Sequence, residues 1–92
     1  MPPREYVVAI TATEYRCERD ALALAMIEGE RQGARAQYRG TADAIPDAGR
    51  ILASVGDPFA DGRMADAIVA EFRRAWLRGA EAMARFLAGG AL

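Results

Sequence analysis

The chain has 92 residues, with 12 basic and 13 acidic side chains, a formal net charge of −1 and no histidine. That is enough chain for one domain, 1–92, around one small core. The charge balance argues against a general polyanion binder, because non-specific nucleic-acid affinity comes from neutralising phosphates. The lack of histidine and a single cysteine, Cys17, exclude a histidine-based triad, the usual zinc sites and an internal disulfide.

The 52% hydrophobic fraction overstates the core, since alanine alone supplies 21 residues. All twelve basic residues are arginine. Planar guanidinium forks suit phosphate or carboxylate partners, although a coding bias towards arginine and alanine accounts for the same count. No run approaches the roughly 18 apolar residues of a membrane span. A lone cysteine fits a reducing interior, so the chain reads as cytoplasmic, with no membrane partner.

Residues 5–13, Glu-Tyr-Val-Val-Ala-Ile-Thr-Ala-Thr, are rich in β-branched and aromatic types and alternate Tyr6, Val8, Ile10 against Val7, Ala9, Thr11. This predicts a strand covered on both faces. From Glu18 to Tyr38 the residues are helix formers without a proline. At 100° per residue, Leu22, Ala23, Met26, Ile27, Ala34 and Tyr38 share one broad face, and Glu28, Arg31, Gln32 and Arg35 the other. Gly29 and Gly33 weaken a free helix by about 1 kcal/mol each relative to alanine. They are tolerated where another backbone packs closely.

Gly40 to Ala44 reads as a break. Pro46 opens a short helix over Asp47 to Val55, closed by Gly56, with Ile51, Leu52 and Val55 on one face. A short strand over 51–55 is the alternative. Asp57-Pro58 is a second helix-start signal. From Arg63 to Ala88 the amphipathic pattern is the clearest in the chain: Met64, Ile68, Phe72, Trp76, Met83, Phe86 and Leu87 fall in one arc, with Arg63, Arg74, Arg78, Glu81 and Arg85 opposite. The expected fold is therefore α+β: a small, mostly helical domain with one N-terminal strand, a middle helix and a long C-terminal amphipathic helix.

That last helix, at 1.5 Å per residue, is about 39 Å long, whereas a compact globule of this size is about 32 Å across. The strand also lacks a mate of comparable strength, and an unpaired strand is normally shielded. Both point to a homodimer or a protein partner. The candidate interface is Tyr6, Val8, Ile10, Phe72, Trp76, Met83 and Phe86. Arg74, Arg78 and Arg85 form a candidate face for a charged partner.

Catalytic readings find little to build on. Cys17 lies before a helix start between Arg16 and Arg19, but Glu14, Glu18 and Asp20 oppose a thiolate and no base is at hand. Asp57, Asp61, Asp66 and Glu71 lack calcium-loop spacing. Ser54 has no nucleophile-elbow glycines around it. Gly29-x-x-x-Gly33 lies within a helix and is no phosphate loop. No catalytic residue, metal or cofactor is expected.

Gly29-Glu-Arg-Gln-Gly33 on one helix, Asp57-Pro58-Phe59 in the connection, and Arg73-Arg-Ala-Trp76-Leu77-Arg-Gly79 followed by Glu81-Ala-Met83 resemble the ribosome modulation factor family, over about a third of the chain. The resemblance implies a pair of helices and binding to the ribosome or its RNA during growth arrest; the negative net charge weighs against RNA. The leading expectation is a non-enzymatic cytoplasmic regulator or inhibitor acting through protein–protein binding, of the kind that phages and mobile elements encode, CRISPR inhibitors included. The alternatives are a ribosome-associated hibernation factor and a small enzyme using arginine and glutamate on an anionic substrate.

Overall fold

The computed structural model describes residues 4–89, with side chains described from Asp20 onward. It contains three helices: α1 (Arg4–Tyr38), α2 (Ala48–Ser54) and α3 (Gly62–Leu87). No strand occurs among the described residues, so the fold is all-α and the α+β expectation is overturned. The segment 5–13, with Tyr6, Val8 and Ile10, is the start of α1. The physical reason is local. No glycine or proline falls between Arg4 and Glu28, and β-branched residues cost a helix only a few tenths of a kcal/mol each. Helix therefore propagates back from Ala21–Ile27, and with no second strand to complete a ladder it satisfies the backbone within the segment.

α1 ends where the sequence breaks. Gly40 takes φ 75°, its N–H bonds the Gln37 carbonyl at 3.1 Å, and the Thr41 N–H bonds the Ala36 carbonyl at 2.7 Å. This double closure consumes carbonyls that the helix end leaves free. α2 is a helix, not a strand: the Asp47 carboxylate accepts from the Arg50 N–H at 2.9 Å, and the same double closure recurs at Gly56. Asp57 does not start α3. The chain makes one more turn, with the Ala60 N–H on the Asp57 carbonyl at 3.2 Å, and α3 follows Asp61.

α1 and α3 run side by side in the same direction. Leu22 and Met26 share a hollow with Ala67 and Glu71, Gly29 meets Phe72, and Gly33 meets Trp76. The inward face of α1 is Ala25, Gly29, Gly33 and Ala36, all buried. Met26, Ile27 and Tyr38, expected on the core face, are exposed. Small residues were needed inside because the backbones nearly touch. A Cβ on Gly29 would lie 2.5 Å from the Phe72 carbonyl oxygen and 2.9 Å from the Ala75 Cβ. One on Gly33 would overlap the Trp76 backbone, and one on Gly79 would overlap the Glu30 carbonyl. Three glycine hydrogens thus face three carbonyl oxygens, a weakly favourable C–H···O arrangement.

α3 supplies the main weight of the core through Ile68, Val69, Phe72 and Trp76, and Ile51, Leu52 and Val55 close it from α2. Phe72, Ile51 and Ile68 are fully buried, and each such side chain contributes about 1.5–3 kcal/mol. The molecule measures 61 × 28 × 16 Å, so the compact globule assumed from chain length does not form, and a 26-residue α3 is not too long for it.

Candidate docking surfaces

The apolar arc of α3 is covered unevenly. From Ile68 to Ala80 it is buried against α1 and α2. It then continues through Met83, half-buried, to Phe86 and Leu87, which are 62% and 51% exposed. The cause is the parallel register: α1 stops at Tyr38, level with the last turns of α3, and Gly40 turns the chain away. A continuous apolar stripe thereby emerges from the core into solvent.

The sequence-derived interface residues therefore divide. Phe72 and Trp76 are core residues of the same chain, with Trp76 only 4% exposed, so neither is accessible to a partner in the folded chain. Their rings pack tilted with centroids 6.2 Å apart, and the Trp76 indole N–H donates to the Ala42 carbonyl at 2.8 Å. Met83 and Phe86 lie together at the uncovered end. The side chains of Tyr6, Val8, Ile10 and Cys17 fall outside the described residues. Leu24, which the sequence pattern singles out for nothing, is half-exposed on α1 beside Ile27, and Phe59 is 93% exposed in the turn before α3.

The charged face of α3 is largely self-neutralised. Arg74 and Arg78 both reach Glu71, at 2.7 and 3.7 Å, and Arg85 approaches Glu81 at 4.0 Å. Such exposed pairs are worth 0 to about 1 kcal/mol each, and set two glutamates against three arginines. A different basic row stands out. Arg31, Arg35 and Arg39, one helical turn apart, line a groove of about 300 Å³ with Gln32, Ala36, Thr41, Pro46 and the edge of Trp76. Only Arg31 has a carboxylate in reach among the described residues, Glu28 at 3.3 Å. The spacing of Arg31 and Arg35 was visible in the sequence; the loop that makes a groove of it was not.

Among the described residues no three Cys, Asp or Glu side chains are grouped to hold a metal ion, and no helix is long and apolar enough to cross a membrane. No family model, curated protein or solved structure matches the chain.

Proposed function

We propose that this protein is a non-enzymatic helical module of the cytoplasm that self-associates and acts as a regulator or inhibitor by binding another protein, of the kind carried by phages and mobile elements. The observation that carries this reading is the uncovered end of α3, where Met83, Phe86 and Leu87 extend the core stripe into solvent. A two-fold contact between copies would bury Phe86 and Leu87 twice over; with the two side chains 62% and 51% exposed, this contributes about 3–7 kcal/mol at 1.5–3 kcal/mol per fully buried side chain. Association costs about 4–15 kcal/mol, so the expected dimer is weak and concentration-dependent. A protein partner with a larger apolar surface would compete for the same end.

The test is the solution mass by light scattering across a concentration series. The wild-type chain should pass from one to two copies as concentration rises, and a variant carrying Phe86→Asp with Leu87→Asp should stay at one. A single-copy mass throughout the series refutes the reading.

A second reading follows the resemblance to the ribosome modulation factor family. What favours it is that Gly29, Gly33, Trp76 and Gly79, which carry the resemblance, meet at one helix crossing. Co-sedimentation with ribosomes, weakening as salt is raised, is its test.

A further inference from the structure

We infer that the groove between the C-terminal half of α1 and the 41–46 loop is a binding site for a small ligand carrying a chain of phosphoryl groups, held by Arg31, Arg35 and Arg39. Like charges one turn apart on a helix repel one another, and here three arginines stand in a row with one carboxylate, Glu28, on Arg31 alone. The negative end of the α1 dipole accounts for part of this. It amounts to about half an elementary charge, against a net two positive charges among the lining residues, three guanidinium groups and Glu28. On α3, by comparison, Arg74 and Arg78 share Glu71, and Arg85 lies 4.0 Å from Glu81.

The groove is also preorganised. Thr41, which lines it, is fixed by its N–H on the Ala36 carbonyl, and the chain just beyond is tied to α3 by the Trp76 hydrogen bond to the Ala42 carbonyl. Gln32 is held from two sides, donating to Glu28 at 3.3 Å and to Ser54 at 3.0 Å. A ligand therefore meets a built wall lined by exposed guanidinium groups. Successive arginines advance by about 6 Å along the axis, so the row spans about 12 Å. A single phosphate reaches two of them; an extended di- or triphosphate reaches all three. A volume of about 300 Å³ sits at the lower end of small-ligand sites and suits a polyphosphate chain rather than a macromolecular surface.

Trp76 lines the groove and is the only tryptophan in the chain, so its fluorescence reports occupancy directly. Inorganic triphosphate, titrated at fixed ionic strength, should give a saturable change with one site per chain. Inorganic phosphate should bind at least about tenfold more weakly, since each charged hydrogen bond lost is worth about that factor. Arg35→Gln with Arg39→Gln should weaken triphosphate binding by about tenfold or more, with helical content by circular dichroism unchanged. Arg74→Gln, on α3, should leave binding unchanged. A nucleoside triphosphate that binds more tightly than triphosphate identifies a nucleotide as the natural source; one that does not leaves the inorganic chain as the source. The proposal fails if no saturable response appears at millimolar triphosphate, or if Arg74→Gln weakens binding as much as the double variant. It fails equally if an oligonucleotide of matched charge binds far more tightly than triphosphate.

Discussion

The indole N–H of Trp76 reaches across to the Ala42 carbonyl at 2.8 Å, so the aromatic anchor of α3 also fixes the chain as it leaves α1. Removing that bond while keeping an aromatic ring isolates its contribution. Trp76→Phe should lower unfolding free energy by about 1–2 kcal/mol, the value of a hydrogen bond and some packing. Trp76→Ala should cost about 3–5 kcal/mol. Urea denaturation followed by circular dichroism at 222 nm measures both, and equal losses would contradict a separate role for the N–H.

Glycines at 33 and 49 make opposite predictions for the same substitution. Alanine is favoured over glycine in a helix by about 1 kcal/mol. At Gly49 a Cβ meets only the Asp47 Oδ1 at 3.5 Å, so Gly49→Ala should stabilise the protein by about 0.5–1 kcal/mol. At Gly33 a Cβ would overlap the Trp76 backbone. Gly33→Ala should destabilise by about 2 kcal/mol or more despite its propensity gain, as overpacking does. Thermal midpoints moving in the same direction for the two variants would contradict the close crossing.

Asp47 caps α2 through its bond from the Arg50 N–H. Asp47→Ala should cost about 1 kcal/mol, read as a shift in the denaturation midpoint, and Asp47→Asn should recover most of it. Because Ile51, Leu52 and Val55 all hang on α2, a loss much above the value of one cap would show that the short helix and the core around it unfold together.

Phe59 and Phe86 are both exposed, at 93% and 62%, but only Phe86 continues the core stripe. Phe59→Ser and Phe86→Ser should each change monomer stability by no more than about 0.5 kcal/mol. Only Phe86→Ser should reduce association, measured by sedimentation equilibrium. Reduced association from Phe59→Ser would move the interface to the α2–α3 turn.

Much of the fold is legible in the residues themselves. The amphipathic arc of α3 and the Asp47 and Gly56 boundaries of α2 rest on local stereochemistry, which a sequence displays directly, and Gly29 and Gly33 mark a close approach because a neighbouring backbone is what makes them tolerable in a helix. The N-terminal segment is not legible in this way. An alternation of apolar residues on both faces satisfies strand and helix alike over nine residues, and what decides between them is the helix it adjoins. The inward face of α1 is not legible in this way either, because large apolar residues do not mark it. Here backbone proximity selected Ala25, Gly29, Gly33 and Ala36, and left Met26 and Ile27 outside. The basic groove depends on a loop folding back beside Arg31 and Arg35, and no local pattern encodes that return.

The shared direction of α1 and α3 has a kinetic side. Two antiparallel helices can zip together from a tight turn, whereas these two must first bring the chain back along their length. The glycine contacts at Phe72 and Trp76 therefore form only after a long loop closes, at an entropy cost that local contacts do not recover. The short α2, docking its three apolar residues in the shared core on the way, divides that closure into two smaller ones.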